Sequence, residues 1–526
     1  MTIFLTPPST YSLEEAGDLR RACAEKLGIT PGDIQSLEYY KRSLDVRHKR
    51  PKFQAVLIID VAPNPRLEAH LRSMGCVAPA PKIELPTFCG REPRPNVAIV
   101  GAGPSGLFAA MVLATAGCHV DIFERGKPVS QRTRDVATLM HHGRLNPESN
   151  ICYGEGGAGT FSDGKLMTRT KSKYIPYVLE RFRAFGADSR ILYESHPHIG
   201  TDRLAPILTT MRGWLESRGT TYHFDRRVEA VWVKDGRCRG LVVAGERLGY
   251  DAVFLGMGHS ADDMFEGLLA QGFALEAKPL AVGVRVEHPQ ALIDEIQYGR
   301  YAGHPLLPPA EYAVRFNAEG MASVFSFCMC PGGHVVASQT TAETRVVNGM
   351  SGSRRNGRYA NAALVATVGA ESFDPGPLGG LKWIRALERR AAEGMPPAHA
   401  PAQSVRDFLA RKCPSRNPVT TYAPGTAPAN LHDILPRRVA EALCAALPAF
   451  DRQMKGFLCA EANFIGIESR TSSPVRVVRG EDYEAVGIEN AYPMGEGAGY
   501  AGGITSCALD GIHAALAWCH KANLCA

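Results

Sequence analysis

Three glycines have the spacing of a phosphate-binding turn: Gly101, Gly103 and Gly106 form G-x-G-x-x-G. An apolar run at residues 97–100 precedes them, and an apolar helical pattern and a second β run ending in Glu124 follow. A strand, tight turn, helix and strand of this length form the unit that binds a dinucleotide. Gly101 would allow the turn, Gly103 would let the pyrophosphate approach the backbone, and Gly106 would let helix and strand pack. Glu124 could accept hydrogen bonds from ribose hydroxyls, but the unit alone does not distinguish NAD from FAD.

A second glycine-rich stretch, GEGGAGTFSDGK, covers residues 154–165. Closely spaced glycines let a backbone approach a flat ligand and supply N–H donors. The alternative is a mobile surface loop. Arg132 and Arg134, a little upstream, could reach a pyrophosphate as charge-assisted donors.

A third glycine-rich turn lies near the C-terminus, in YPMGEGAGYAGGI. Strand-like residues lead into it, and a helix is predicted over residues 505–519. Glu496 stands where a carboxylate could accept from a polyol chain, and the helix N-terminus could stabilise a partly anionic ring carbonyl. A flavin needs this arrangement, whereas a pyridine-ring cofactor does not.

Two further motifs carry reactive side chains. Cys328 and Cys330 form C-x-C before Pro-Gly-Gly, which suits a redox dithiol, a nucleophile or a thiolate beside a flavin, or else two buried thiols at a strand end. The motif GMGHSA at residues 256–261 is a second G-x-G-x-x-A and contains Gly258 and His259. It could open a second site for NADH or NADPH. No second strand with a terminal acid follows, so we favour a strand end that returns to the first cofactor.

The elements that position these residues belong to a chain long enough for two or three domains. Hydrophobic content of 45% and charged content of 21% are globular values, and a net charge of +6 says little about partners. No apolar run approaches a membrane span, and the N-terminal residues do not resemble a secretory signal. We therefore expect a cytoplasmic protein whose 14 cysteines are reduced thiols. No metal-ligand spacing is present, so no metal site is expected.

The pattern of elements divides the chain into four segments. Residues 1–90 read as a small α+β module, 91–279 and 461–526 as two parts of the nucleotide-binding domain, and 280–460 as a mixed insertion. A basic cluster lies on the first module's hairpin: Lys41, Arg42, Arg47, Lys49, Arg50 and Lys52. Such a cluster could bind RNA, but it lacks interleaved aromatics, and we favour a solvated hairpin tip.

Several long motifs resemble the predicted FAD-dependent dehydrogenases of bacteria, a branch of the glutathione-reductase-like flavoproteins with two dinucleotide-binding domains. They are ERGKPVSQRTRDV, LNPESNICYGEGGAGTFSDGKL, FSFCMCPGG, NGMSGSRRNGRYANAAL and YPMGEGAGYAGGITS. The resemblance extends over nearly the whole chain. It implies an α/β fold with a Rossmann-type FAD-binding domain in discontinuous segments, an inserted β-rich substrate domain and bound FAD.

The resemblance also implies roles for individual residues. Gly101, Gly103, Ser105 and Gly106 would hold the pyrophosphate, with Arg132 near the phosphates. Glu124 would bind the adenosine ribose, with Arg125 near the adenine and Val228 meeting it through the backbone. The residues implied along the flavin ring are Gly157, Gly159, Thr160, Phe161, Asp163, Lys165, Gly503 and Ile504. Gly495 and Glu496 would meet the ribityl and phosphate region; related flavoproteins usually carry Asp in place of Glu496.

Three functions fit these observations. The first is an FAD-dependent oxidoreductase that transfers hydride between flavin and a small organic substrate, with NADH or NADPH as a potential electron donor. Cys328 and Cys330 would then lie near the ring, and His259 is a weaker acid–base candidate. The second is an FAD-dependent monooxygenase, which needs no full NAD(P)H domain. The third is a flavin-dependent RNA-modifying protein that uses the basic hairpin. The sequence does not identify the substrate, and no membrane partner is expected.

Overall fold

The N-terminal module is a four-stranded antiparallel sheet covered by short helices, in a computed structural model that describes residues 2–89, 91–414 and 416–525. Its elements are β1 (Thr2–Leu5), β2 (Ser9–Ser12), α1 (Leu13–Gly17), α2 (Leu19–Leu27), β3 (Ile34–Asp45), β4 (Lys52–Val61) and α3 (Pro65–Ser73). Strand β4 pairs with β1 and β2 along one edge and with β3 along the other. Alternate residues of β4 are buried, as expected of a sheet with one face against a core.

The first part of the nucleotide-binding domain begins with the predicted strand–turn–helix–strand. Its elements are β5 (Asn96–Val100), α4 (Pro104–Thr115), β6 (His119–Phe123), α5 (Val129–His142), α6 (Ile175–Ala184), α7 (Thr201–Glu216), β7 (Thr220–His223), β8 (Val228–Lys234), β9 (Arg237–Val243), β10 (Glu246–Gly249), β11 (Ala252–Leu255) and α8 (Asp262–Ala270). Strands β5, β6, β7 and β11 are parallel, whereas β8, β9 and β10 form a separate antiparallel sheet.

The insertion is built on a seven-stranded sheet in the order β14-β15-β18-β13-β21-β19-β20. Its elements, with the short strand that precedes them, are β12 (Leu275–Ala277), β13 (Leu280–Pro289), α9 (Gln290–Tyr298), β14 (Arg315–Phe316), β15 (Val324–Cys330), β16 (His334–Ala337), β17 (Val347–Met350), β18 (Tyr359–Val368), α10 (Gly379–Arg390), β19 (Ala400–Ser404), α11 (Val405–Leu409), β20 (Thr426–Pro428), α12 (Leu431–Ile434), α13 (Arg437–Gln453) and β21 (Asn463–Glu468). The predicted boundary at residue 460 needs correction, because β21 lies inside this sheet.

The C-terminal segment returns the chain to the parallel sheet. It contains β22 (Val475–Val477), β23 (Ala491–Pro493) and α14 (Ile504–Lys521). Strand β22 pairs with β12 at the base of the insertion, and β23 adds beside β11 to complete the order β23-β11-β5-β6-β7. The predicted fold class, an α/β chain with a discontinuous Rossmann-type domain, is confirmed.

The parallel sheet brings distant turns together at one edge. The turns after β5, β11 and β23 all leave the carboxyl ends of neighbouring strands, where open α/β sheets bind ligands. Helices α4 and α14 pack against each other there, and a Cβ at Gly511 of α14 would collide with the backbone oxygen of Ser105. Among the described residues, no helix combines the length and apolarity needed to cross a membrane.

Candidate cofactor and active site

The turn after β5 depends on two glycines, as its spacing predicts. Gly101 has φ +97°, and a Cβ there would collide with the backbone oxygen of Gly256. A Cβ at Gly106 would collide with the backbone oxygen of Gly101 and lie 3.1 Å from Cγ2 of Ile99 on β5. The first glycine therefore permits the turn and the contact with the strand end after β11. The second permits close packing of helix α4 on strand β5.

Two helix N-termini face one cavity. Gly103 is the N-cap of α4 and Gly503 is the N-cap of α14, and no side chain caps either helix. Both glycines line the cavity, and a Cβ at Gly503 or Gly258 would meet nothing within 4 Å. Uncapped N–H groups and bare backbone are suited to an anionic, flat ligand.

Most of the predicted site residues line this cavity, although they come from segments far apart in the chain. They are Gly101, Gly103, Ser105, Glu124, Arg125, Gly157, Gly159, Asp163, Lys165, Val228, Gly258, His259, Cys328, Glu496, Gly503 and Ile504. The motif after β11 ends at the same cavity, in agreement with a strand end that returns to the first nucleotide site.

Arg132 lies elsewhere and corrects a prediction. Its guanidinium is fully buried beneath the glycine-rich loop and donates to the backbone oxygens of residues 150, 151, 154 and 155 and to Oγ1 of Thr160. Burial lowers the pKa of Arg132 to about 10. A cation with these partners holds the loop in shape; it does not reach a ligand's phosphates. The sequence showed the charge but not its carbonyl partners.

Five other predicted residues lie behind the cavity wall rather than in it. Gly106 and Gly495 pack under the turn, where a Cβ at Gly495 would lie 2.5 Å from Oγ of Ser105. Thr160 and Phe161 are buried below the loop, and Cys330 is fully buried behind Cys328. These residues shape the wall.

Glu124 organises the nucleotide end. Its carboxylate accepts from the backbone N–H groups of Ala102, Gly126 and Gly154, each at 2.9 Å. An ionised carboxylate has about four acceptor positions, so one remains for a ribose hydroxyl. Glu124 thus connects three loops. Its position at the end of a strand in the sequence did not predict this role.

Arg125 and its neighbours form the other wall of this end. The Arg125 guanidinium lies 4.1 Å from the ring centroid of Tyr153 and pairs with Glu148 at 2.8 Å and Asp263 at 3.1 Å. Three carboxyl and aromatic partners therefore fix it in place. The cavity beside Val228 is also lined by four residues that were not predicted from the sequence: Arg226, Arg227, Asp263 and Met264.

A network of charges occupies the opposite end. Arg355 pairs with Asp163, and its Nη1 lies 2.7 Å from Glu311. Lys165 Nζ lies 3.5 Å from Asp163 and 3.9 Å from Glu311, and it donates to the backbone oxygen of Met329. These neighbouring carboxylates raise the pKa of Lys165 against the effect of burial. Lys165 is therefore a cation on the cavity wall at neutral pH.

Cys328 and Cys330 lie where the inserted sheet meets this end. Strand β15 has a β-bulge between Phe327 and Cys330, and Cys328 within it has φ +44°. A hydrogen bond from Cys330, together with Arg285 and Lys165, lowers the pKa of Cys328 to about 6, although burial opposes the shift. The partner thiol Cys330 has a raised pKa, because Cys328 ionises first and burial adds to the cost.

Two further titratable groups border the cavity. Burial raises the pKa of Glu496 to about 7, while a backbone N–H from Gly503 and the charge of Lys278 oppose the shift. Burial and the nearby Arg470 lower the pKa of His259 to about 4, and its Nδ1 lies 2.8 Å from Oγ of Ser260. His259 is consequently neutral at physiological pH and can act there only as a hydrogen-bonding or basic group. Arg470 and Asn348 also lie on the cavity wall and were not predicted from the sequence.

Comparison with known proteins places these features in a family. A family described as FAD-dependent protein, C-terminal domain-like, matches residues 279–471, and an NAD(P)-binding Rossmann-like domain matches residues 99–148. A domain of unknown function matches residues 5–60. An uncharacterized protein of Clostridium beijerinckii is 38% identical over 505 residues, which cover 94% of this chain and 95% of that protein.

The chain belongs to this family of FAD-dependent flavoproteins. The first matched segment, 279–471, agrees with the corrected end of the insertion and not with residue 460. The cavity of the flavoprotein fits FAD, since glycine turns and a carboxylate stand at the nucleotide end and an uncapped helix N-terminus and open glycine backbone stand at the ring end.

Solved structures with a related arrangement are distant in sequence. The flavin-dependent brominase Bmp2 is 11% identical with a TM-score of 0.38, over 80% of this chain and 78% of that one. The glycerol-3-phosphate dehydrogenase of Bacillus halodurans with FAD is 10% identical with a TM-score of 0.33, over 82% and 66%. A geranylgeranyl bacteriochlorophyll reductase-like protein of Thermoplasma acidophilum is 10% identical with a TM-score of 0.36, over 82% and 79%. At these scores none of them bears on the reaction of the flavoprotein.

Proposed function

We propose that the flavoprotein is an oxidoreductase that transfers hydride between FAD and a small organic substrate. The observation that carries the proposal is the composition of the ring end of the cavity. There the insertion contributes Phe327 and Cys328 from β15 and Asn348 from β17, and the glycine-rich loop contributes Lys165. A thiol from the inserted domain and a cation from the glycine-rich loop, both at the ring end, suit a reaction at the flavin.

The residues divide the work between two ends. The α4 N-terminus and Glu124 would hold the ADP half of FAD, and the α14 N-terminus with Gly503 and Ile504 would hold the flavin half. Bound FAD supplies hydride acceptance and donation. The protonated Lys165 orients a polar or anionic substrate group and can donate a hydrogen bond to it. Cys328 presents a thiolate from the wall of the inserted domain.

NADH or NADPH would serve as a transient electron donor. All six residues of the motif at 256–261 line the FAD cavity. A nicotinamide cofactor would therefore have to approach the ring from the substrate side. Because its cysteines are free thiols in the described chain, we also propose that the flavoprotein acts in the cytoplasm.

The monooxygenase alternative uses the same cavity, and one experiment separates the two. The purified holoprotein is reduced anaerobically with NADH or NADPH, and oxygen is then admitted together with candidate substrates. A dehydrogenase or reductase forms product without oxygen incorporation. Incorporation of an atom from isotopically labelled O₂ into the product would overturn the proposal in favour of the monooxygenase. A holoprotein that neither nicotinamide nor any screened substrate reduces would argue against both.

The RNA-modifying alternative loses support at the basic hairpin. Arg42 pairs with Glu194 and lies over the rings of Tyr39 and Tyr193, at 4.8 and 5.6 Å. Arg47 pairs with Asp45 at 2.6 Å. Part of the cluster thus attaches the N-terminal module to the nucleotide-binding domain. RNA binding at low salt that is lost in Lys49→Ala/Arg50→Ala/Lys52→Ala would restore this alternative.

A further inference from the structure

The backbone at Cys328 is unusual for a strand. Register with β18 pairs Phe327 with Ala363 and Cys330 with Asn361, so the bulge inserts one extra residue into β15. Cys328 takes a positive φ, which residues other than glycine rarely adopt. Bulges and positive-φ residues of this kind often re-aim a side chain beside an active site.

Two cations, the buried Arg285 and the half-buried Lys165, hold the bulge in this form. Arg285 Nη2 donates to the backbone oxygen of Cys328 at 2.6 Å and approaches Sγ of Cys330 at 3.4 Å, while its Nη1 pairs with Glu468 at 2.8 Å. Lys165 holds the next carbonyl, that of Met329. The carbonyls of the bulge therefore have charged side chains as partners in place of a neighbouring strand, and both cations favour a thiolate nearby.

The two thiols differ in access. Cys328 is half-buried and lines the cavity, whereas Cys330 has no exposed surface. Sγ of Cys330 donates to the backbone oxygen of Cys328 at 3.4 Å, so the buried thiol lies against the residue that carries the accessible one. An accessible thiol of lowered pKa and a buried partner thiol are the arrangement of a dithiol exchange site.

We propose that Cys328 and Cys330 are a redox-active dithiol whose substrate is a low-molecular-weight disulfide entering the ring end of the cavity. Cys328 is the attacking thiol and Cys330 the resolving thiol. This inference names the electron acceptor of the oxidoreductase proposed above and rests on it. Bound FAD would supply the two electrons, taken from NADH or NADPH, that return the oxidised pair to the dithiol.

The exchange takes two steps. The Cys328 thiolate attacks one sulfur of the disulfide, whose S–S bond breaks, and a mixed disulfide forms while one thiolate leaves. Cys330 then attacks Sγ of Cys328, loses its proton to the departing group, and releases the second thiol. The protein pair is oxidised by two electrons with loss of two hydrogens, and the small disulfide is reduced to two thiols.

The test uses oxidised glutathione as the probe on holoprotein, with intact-mass and peptide mass spectrometry after acid quenching. We expect the wild-type peptide spanning residues 328–330 to lose two hydrogens and to regain them with dithiothreitol. Cys330→Ser should stop at a stable glutathione adduct on Cys328, and Cys328→Ser should form neither product. The exposed Cys413 provides the control, since Cys413→Ser should leave the wild-type result unchanged.

Two results would overturn the inference. One is a wild-type adduct at Cys328 that persists without conversion to an internal disulfide, and the other is a wild-type peptide that remains reduced under these conditions. The wild-type measurement requires no substitution, so an unstable variant leaves the test intact. Bleaching of the FAD absorbance by NADH or NADPH is followed in parallel. If the FAD is bleached but the peptide stays reduced, the dithiol is excluded while the oxidoreductase stands. If the peptide oxidises but neither donor reduces the FAD, the oxidoreductase is excluded while the thiol–disulfide exchange stands.

Discussion

The hydrogen bond from Cys330 is the largest single cause of the lowered pKa at Cys328, and its removal gives a quantitative test. With a pKa of about 6, roughly 90% of Cys328 is thiolate at pH 7, against about 1% for a thiol of pKa 9. Hydrogen bonds to charged groups contribute about 1.5–3 kcal/mol. A thiol is a weak donor, so the lower value applies, which corresponds to about one pH unit.

Cys330→Ala should therefore raise the midpoint of Cys328 ionisation from about 6 to about 7. Cys330→Ser keeps a donor at the same position and should show a smaller rise. Arg285 and Lys165 remain in both variants, so the pKa should stay below that of an ordinary thiol.

The assay is the pH dependence of alkylation of Cys328 by iodoacetamide, quantified by peptide mass spectrometry on holoprotein. The midpoint is the readout, because a thiolate of higher pKa is also a better nucleophile and partly masks the change in rate. Circular dichroism and FAD content check that the variants fold. A wild-type midpoint near 9, or an identical midpoint in wild type and Cys330→Ala, would refute the reasoning.

The remaining predictions concern the scaffold. Gly106→Ala should abolish retention of FAD through purification, because its Cβ collides with the turn, whereas Gly213→Ala, which has open space around it, should retain FAD at wild-type stoichiometry. Arg132→Met should lower the free energy of unfolding in urea by on the order of 4 kcal/mol, because buried carbonyls lose their donor; an unchanged urea midpoint would contradict this. A hydrogen bond from His196 and the charges of Lys165 and Arg355 hold the pKa of Glu311 well below its usual 4.5, against burial, so its stabilisation is present above that value and is lost as pH falls below it. The loss of stability between pH 7 and pH 3 should shrink in Glu311→Gln, and an equal loss in both proteins would exclude this role.

Local features were predictable because their causes lie within a few residues. The glycine spacing at 101–106 required a turn, and the structure has one with Gly101 at φ +97°. The Asp235–Gly236 dipeptide favours a tight hairpin turn, and it forms the turn between β8 and β9 with positive φ at both residues. Helices α4 and α14 were predicted from apolar runs that follow glycine-rich turns. A backbone conformation that is imposed by short-range steric contacts can be predicted from a short stretch of sequence.

Domain boundaries and buried charges depended on tertiary contacts. Strand β21 lies beyond the predicted boundary at residue 460 but belongs to the inserted sheet, because its partners are β13 and β19. Strand pairing between residues so far apart in the chain gives no signal in the local sequence. Arg132 resembled a phosphate ligand because a guanidinium suits any acceptor. Only the folded loop shows that the acceptors of its guanidinium are backbone carbonyls and not phosphates.

The sequence by itself determined that the chain binds a dinucleotide, and its longer motifs indicated FAD. The chemistry of the C-x-C motif stayed open at that level, since a dithiol, a nucleophile and two buried thiols all fitted. The tertiary structure separated the two cysteines by placing Cys328 in the cavity and Cys330 behind it. The charged side chains beside them come from far along the chain, since Arg285 lies 43 residues before Cys328 and Lys165 lies 164 residues before Met329. A thiol's pKa is set by charges and donors within a few ångströms, and only folding brings such residues together.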